Sequence, residues 1–469
     1  MTASLREIKN ALGAMVIDAK GSVSTVTDVE HDSRRVSPTT LFACIPGAVT
    51  DGHLHAESAI NAGAVALLTE RPLSLGVPEV IVESVREAVG PAAAVVHGHP
   101  SKRLDVIGIT GTNGKTTTVR LLAGVLRSLG SPVHEIGTLT GSRTTPEGPE
   151  LQRELAAALA AGDSAVAMEV SSHALDLHRV DGTRFRVVAF TNLGADHLDH
   201  HLTYEAYFDA KAKLFTPEMA ELAVIDGRTQ AGEEMVRRCE LPTVVIDRSS
   251  IETIESTPVS TTFRWRGVVV DLPLGGAFNV ANAAIAAESA LALGHEESAI
   301  AQALSESAPV PGRFESIDEG QDFTVIVDYA HTPDGLAAVL ETARSVTDAK
   351  LVVVFGAGGD RDRSKRPRMG DVARRWADRV VVTSDNPRGE NPAAIISAIV
   401  SGMENPPELV EPDRRAAIRH ALAGARSGDV VVIAGKGHET TQTIGDEVIE
   451  FDDRSVVREE LARHSGVAS

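Results

Sequence analysis

One segment limits the possible folds more than any other. The apolar run 104–109 leads straight into Gly108-Ile-Thr-Gly-Thr-Asn-Gly-Lys-Thr-Thr-Thr118, and a helical stretch follows over 116–129. A strand that turns through glycines into a helix is the opening of a parallel-sheet unit, so at least part of this chain must be an open sheet with helices on its faces. The same alternation recurs elsewhere. Short β-branched runs at 64–68, 79–82, 165–169, 186–191, 324–327, 351–355, 380–383 and 430–434 predict strands, and 264–271 reads as an edge strand. Helical stretches fall at 55–62, 204–215, 279–293, 333–345, 367–376, 392–402 and 413–425. The expected class is α/β in three domains, 1–100, 101–310 and 311–469, with the last break at Ala308-Pro-Val-Pro-Gly312. The second and third read as doubly wound units, whose ligands sit at the carboxyl ends of strands.

Composition narrows the function by exclusion. With 45 basic and 65 acidic residues the net charge is −20, which argues against nucleic acid or an anionic membrane as the main partner. The aromatic residues are 11 Phe, 3 Tyr and 2 Trp, too few for base-stacking platforms. Two cysteines, Cys44 and Cys239, make no disulfide framework and no zinc-finger spacing. No run approaches the ~18 apolar residues of a membrane span, and the first residues lack a signal-peptide core. The expectation is a cytoplasmic protein acting on small molecules, with no nucleic-acid or membrane partner.

The glycine loop carries the clearest chemistry. Backbone N–H groups of Gly111, Thr112, Asn113 and Gly114 can close around phosphate oxygens, and the following helix N-terminus adds positive potential. Lys115 would neutralise phosphate charge, and the hydroxyl of Thr116, beside Thr117, suits Mg²⁺. The spacing departs from the general phosphate loop, because Ile109 stands five residues before Gly114. An ordinary glycine turn is the bland alternative. Glu169 ends an apolar run in Ala167-Met-Glu-Val-Ser-Ser-His173, where a carboxylate can reach a metal near such a loop, although a lone strand-end Glu is usually just solvated. Asp196-His-Leu-Asp-His-His201 places three histidines and two aspartates in six residues; zinc is the tempting reading, but no HEXXH is present. On physics alone, Lys211 in 208–215 is a solvent-facing lysine of an amphipathic helix.

A longer series changes that reading. GTNGKTT, EVSSH, DHLD, AKAKLF, FNVAN (278–282), PGRFE (311–315), DYAHTPD (328–334), GGDRDRSKRP (358–367), TSDNPR (383–388) and GKGHE (435–439) occur in the order expected of a Mur ligase. From His31-Asp-Ser-Arg34 to Phe451-Asp-Asp-Arg454 the chain resembles that family. The resemblance implies a UDP-binding domain, a central P-loop parallel-sheet ATPase domain and a C-terminal Rossmann-like domain that brings an amino acid. The implied reaction is ATP-dependent ligation of meso-2,6-diaminopimelate to the D-glutamate γ-carboxylate of UDP-N-acetylmuramoyl-L-alanyl-D-glutamate through an acyl phosphate, in peptidoglycan synthesis. Implied cofactors are ATP, Mg²⁺ and a CO₂-derived carbamate on Lys211, with Glu169 and His197 beside it as metal ligands; Lys115 acts on the transferring phosphoryl group. Asn279, Asn282, Arg313, Asp328 and His331 fall in motifs lining the nucleotide cleft. Ser33 is implied at the uridine diphosphate, and Thr144, Thr145, Ser171 and Arg179 at the muramoyl dipeptide. Arg361, Asp385, Asn386, Pro387, Arg388, Gly435 and Glu439 are implied at diaminopimelate. Arg361 is the cation singled out among five in 361–368, the others reading mostly as a solvated face. A monomer is expected.

Three positions depart from the family pattern. Leu177 stands where a substrate-binding glutamine is often found, Arg143 where asparagine is common, and 37–42 lacks the usual Pro-Gly-Asp turn. The alternatives are the same ligase using L-lysine, a folylpolyglutamate synthetase, and a catalytically silent nucleotide-binding homologue.

Overall fold

The computed structural model describes residues 2–47, 50–194 and 198–464. The chain forms two compact units. One comprises Met1–Gly111, Leu126–Phe190 and Phe208–Val245; the other comprises Thr112–Val125, Thr191–Tyr207 and Ile246–Ser469.

The first unit holds an N-terminal sheet in the order Val16–Lys20, Glu79–Val82, Ala64–Thr69, Thr40–Ala43, Asp28–Glu30. Its first strand is antiparallel to its neighbour and the others pair in parallel. A second sheet runs Thr243–Ile246, Ala220–Asp226, Phe185–Phe190, Asp105–Thr110, Ala165–Glu169, Val133–Ile136. Asp105–Thr110 lies between Ala165–Glu169 and Phe185–Phe190 and is parallel to both, which puts its carboxyl end where the strand order switches. Within this unit the helix Val85–Val96 meets Gly148–Ala161, and Arg153 of the latter binds Asp28 at 2.9 Å and Glu30 at 3.3 Å.

In the second unit a sheet runs Glu315–Ile317, Thr324–Asp328, Val430–Ala434, Leu351–Phe355, Arg379–Val382, Leu409–Val410. Only the first strand is antiparallel. Alternate residues of Leu351–Phe355 point to opposite faces. Leu351, Val353 and Phe355 pack with Leu336, Leu340, Met369, Ile395 and Ile399, whereas Val352 and Val354 pack with Ile418, Leu422 and Val457. Burial on both faces explains why these strands read as unbroken apolar runs.

The strands and helices expected from the sequence recur within a few residues, with two informative differences. The segment 264–271 is a hairpin, Thr261–Trp265 and Val268–Leu272, rather than one edge strand. Arg266 and Gly267 take φ of 47° and 84°, the backbone that a two-residue hairpin turn needs, so the apolar run folds back on itself. The helix expected over 204–215 ends earlier, as Tyr204–Ala212, because Leu214 and Phe215 donate to Lys211 and Ala212, a tighter i→i−3 turn. No helix among the described residues is long and apolar enough to cross a membrane.

Candidate active site

In the second unit the glycine loop is fastened to the segment after Phe185–Phe190. The Thr112 N–H donates to the Asn192 carbonyl at 2.9 Å, and the Asn113 N–H donates to Asn192 Oδ1 at 2.9 Å. The Thr191 hydroxyl and Asn192 Nδ2 both donate to the Asn113 carbonyl, at 2.6 and 3.1 Å. Lys115 folds over its own loop, its Nζ donating to the Thr112 carbonyl at 2.9 Å. Gly114 has φ 89°, and a Cβ there would collide with the side-chain amide of Asn282, so glycine answers both a left-handed turn and a close approach. Asn282 accepts from the Thr118 hydroxyl at 3.4 Å and donates to Asn279 at 2.9 Å; Asn279 in turn donates to the Gly275 carbonyl at 2.7 Å. The helix Phe278–Ala292 therefore presents Asn282 to the loop, with Asn279 bracing it.

Arg313 arrives from a distant part of the chain. Its Nη2 donates to the Thr116 hydroxyl at 3.0 Å, and its guanidinium lies 4.4 Å from the centre of the Tyr329 ring. Asp328 holds this neighbourhood through backbone, accepting from the N–H groups of Phe314 and Ala330 at 2.7 Å each. Burial pushes its carboxyl pKa up, against the pull of Arg313 and those two donors. The His331 ring packs on Tyr329 with centroids 4.6 Å apart. Of the residues expected at the nucleotide, the structure brings Gly114, Thr116, Asn279, Asn282 and Arg313 together directly, with Asp328 and His331 beside Arg313 through Tyr329.

In the first unit, Lys211 is 1 % exposed and its Nζ donates to the Gly111 carbonyl at 3.0 Å. The expectation of a solvent-facing lysine from periodicity is thus corrected: the helix Tyr204–Ala212 buries it. Glu169, 2 % exposed, accepts the Thr138 N–H at 2.8 Å, and a Cβ at Gly137 would stand 2.5 Å from that same Oε1. The Thr145 hydroxyl donates to the Glu169 carbonyl at 2.9 Å and accepts the Ser171 N–H at 3.1 Å, while Thr144 meets Thr138 at 3.0 Å. Arg179 pairs with Glu147 at 2.8 Å and reaches the Thr145 carbonyl at 3.4 Å. Its Nε is buried without a hydrogen-bond partner among the described residues, and burial, with Arg143 and Arg86 nearby, lowers its pKa against the pull of Glu147. Thr144, Thr145, Ser171 and Arg179 therefore share one neighbourhood with Glu169. Ser33 lies apart from them in sequence, in the turn after Asp28–Glu30, but its neighbour Arg35 binds Glu150, which also binds Arg143 at 3.3 Å. The unusual Arg143 thus has a partner that ties the Thr144–Thr145 loop to the Ser33 turn. His197 lies outside the described residues.

The remaining motifs meet at the carboxyl ends of the second unit's sheet. Asn386 donates to Glu439 Oε2 at 2.7 Å. Lys436, wholly buried, contacts Glu439 at 3.3 Å and Asn386 Oδ1 at 3.4 Å. Arg388 takes φ 51° and donates from Nη1 to the Gly359 carbonyl at 2.8 Å. A hairpin, Thr441–Ile444 with Glu447–Glu450, clasps the loop: Gln442 Nε2 donates to the Asp385 carbonyl at 2.6 Å, the Thr443 N–H to Asn386 Oδ1 at 3.0 Å, and the Arg388 N–H to the Thr443 carbonyl at 3.0 Å. The Pro387 carbonyl closes the turn by accepting the Glu390 N–H at 3.1 Å. Gly435 has φ 119°, and a Cβ there would stand 2.6 Å from Asp385 Oδ2. In the basic stretch Arg361 is exposed, whereas Arg366 is buried and forks onto Glu390 at 2.8 and 3.1 Å. Lys436, Gln442 and Arg366 were not singled out by the sequence reading: Gln442 and Arg366 have partners remote in the chain, and Lys436, inside the 435–439 motif, meets Asn386 only through the fold.

Family comparison agrees along nearly the whole length. The Mur ligase family catalytic domain matches 25–108, the Mur ligase middle domain 109–290, and the Mur ligase glutamate ligase domain 312–437. A UDP-N-acetylmuramoyl-L-alanyl-D-glutamate–2,6-diaminopimelate ligase of Geobacillus thermodenitrificans is 44% identical over 466 residues, covering 94% of this chain and 95% of its own. This chain belongs to the Mur ligase family. A relative of the same name from Streptomyces coelicolor is 40% identical over 493 residues, covering 98% of this chain and 97% of its own. A solved structure of a ligase with that name superposes with a TM-score of 0.70 at 31% identity, covering 99% of this chain and all of that one. The MurF ligase of Thermotoga maritima, solved with ADP, shares the fold at a TM-score of 0.67 and 18% identity, covering 94% of this Mur ligase and 99% of its own chain. The Mur ligase fold accounts for the α/β class and for the doubly wound sheets that carry these motifs.

Proposed function

We propose that this Mur ligase joins an amino group of meso-2,6-diaminopimelate to the D-glutamate γ-carboxylate of UDP-N-acetylmuramoyl-L-alanyl-D-glutamate, converting ATP to ADP and phosphate. The observation that carries the reading is the paired loops 385–388 and 435–439, joined by the Asn386–Glu439 bond, in a chain 44% identical along almost its whole length to a ligase of that name. The domain limits 1–100, 101–310 and 311–469 belong to the same reading.

The chemistry assigns each group a task. The γ-carboxylate attacks the terminal phosphoryl group of ATP, the diaminopimelate amine then attacks the acyl phosphate, and the tetrahedral intermediate releases phosphate. Lys115 and Arg313 are the cations at the phosphate loop that stabilise charge on the transferring phosphoryl group. Thr116, Glu169 and His197 are metal-ligand candidates, and Lys211 joins them as a carbamate. Hydroxyl and carboxylate oxygens suit Mg²⁺, and a lysine qualifies only once carbamylation has turned its ammonium into oxygen donors. Bound Mg²⁺ supplies charge neutralisation at the phosphates. Thr144, Thr145, Ser171 and Arg179 hold the dipeptide, with Ser33 toward the uridine diphosphate. Arg388 offers a planar fork to the distal carboxylate of diaminopimelate, Arg361 a second cation, and Glu439 with the Gly435 carbonyl meets the distal ammonium.

The test is ATP turnover and product formation by the purified protein with each substrate omitted in turn. ADP release that requires both the muramoyl dipeptide and diaminopimelate, with the tripeptide as product, supports the reading. ADP release indifferent to either substrate overturns it.

A further inference from the structure

Arg414 has no part in any motif above, yet it is 1 % exposed and its partner Asp453 is fully buried. The two open the helices Arg414–Ala423 and Asp453–His464. The guanidinium forks onto the carboxylate, Nε to Oδ1 and Nη2 to Oδ2, both at 2.7 Å. Its remaining reach goes to two backbone carbonyls: Nη1 donates to Ser384 at 3.2 Å and Nη2 to Ala434 at 3.0 Å. These residues immediately precede Asp385 and Gly435, the first members of the two amino-acid loops.

No sheet hydrogen bond runs directly between the two strands that lead into those loops. Val430–Ala434 and Arg379–Val382 are not neighbours, because Leu351–Phe355 lies between them. Arg414 spans that gap. The loops also nearly touch above it, since a Cβ at Gly435 would stand 2.6 Å from Asp385 Oδ2 and 3.9 Å from Arg414 Nη2. A buried ion pair is a weak source of stability, because desolvation offsets most of its attraction and apolar replacements are often neutral. Holding two specific carbonyls at a fixed separation is what a planar, five-donor cation does and an apolar pair does not.

We propose that Arg414, oriented by Asp453, is a positioning residue that sets the separation of the 385–388 and 435–439 loops, and through it the affinity for the amino acid and its selection. This rests on the function proposed above. The experiment compares wild type, Arg414→Lys and the apolar double variant Arg414→Met/Asp453→Leu. Each is measured for thermal unfolding, for KM of ATP, and for KM of diaminopimelate and of L-lysine. Arg414→Lys keeps the charge opposite Asp453 but loses the fork; the double variant leaves no unpaired charge. The expected result is folded variants whose KM for diaminopimelate rises about tenfold, whose preference over lysine shrinks, and whose KM for ATP stays within about twofold. An unchanged KM for diaminopimelate in either folded variant overturns the proposal, as does failure of both variants to fold, since the pair is then a stability element. A wild type that ligates no diaminopimelate overturns the functional reading instead, so the two failures are told apart.

Discussion

The glycine loop and the proposed amino-acid pocket both lie at strand ends, but they are held in different ways. The loop is contiguous, residues 111–118, and backbone groups do much of the holding: Thr112 and Asn113 N–H donate to Asn192, and Gly114 gives up a side chain to admit Asn282. The pocket is assembled from separate segments around 358–361, 385–388, 435–439 and 441–445, and mostly side chains join them: Asn386 to Glu439, Lys436 to both, Gln442 to Asp385. A glycine loop opening a helix can serve phosphate in every member of a family, whereas a side-chain pocket can be rebuilt for a new ligand. The first site should therefore supply catalysis common to every amino acid offered, and the second should supply choice.

Substitutions can break that division in order of their effect. Lys115→Ala should lower ligation by about three orders of magnitude, because it removes the charge proposed to act on the transferring phosphoryl group. The loss should be equal for diaminopimelate and lysine in steady-state assays, with unfolding temperature unchanged. Lys211→Ala should cost about a hundredfold, again without regard to the amino acid, and added acetate should restore part of the rate. No rescue together with near-normal turnover would remove the carbamate from the account. Arg388→Ala should lower kcat/KM for diaminopimelate about ten- to a hundredfold and change lysine use little, since one charge-assisted contact is lost.

The smallest effect is on stability and concerns His438, which joins the two sites physically. Its ring lies 4.9 Å from that of Tyr329, on which Arg313 stacks. Burial, with Arg313, Arg454, His331 and Lys436 nearby, depresses its pKa to about 4. The folded protein therefore binds fewer protons here than the unfolded chain between about pH 6.5 and 4, and stability falls as pH drops through that window. In denaturant titrations His438→Gln should flatten this decline relative to wild type. Identical slopes in the two proteins would place the ring in solvent.

How much of this was legible in the sequence follows the same division. The strand, glycine loop and helix at 104–129 are neighbours in the chain, so spacing alone located the loop. The apolar runs 351–355 and 430–434 announced strands covered on both faces. Lys211 was misjudged by periodicity, which cannot see that its carbon stem and ammonium turn toward the Gly111 carbonyl. The hairpin 441–450 is mostly polar and exposed on its outer strand, so it lacked an apolar signal, yet it fixes the Asp385–Arg388 loop. Arg366 looked like one more cation of a solvated run, and only the fold brings Glu390 under it. Arg414 and Asp453 sit 39 residues apart, and although Asp453 falls in the quoted segment 451–454, Arg414 lies in none. In each case the missing information was a long-range partner.

The most direct measurement of the claim that the side-chain pocket supplies choice is the ratio of kcat/KM for meso-diaminopimelate over L-lysine, with wild type, ATP and the muramoyl dipeptide held the same. Lysine lacks the distal carboxylate and would leave the Arg388 charge unanswered in the pocket. The account predicts a ratio of at least about two orders of magnitude. Equal values for the two amino acids would contradict it.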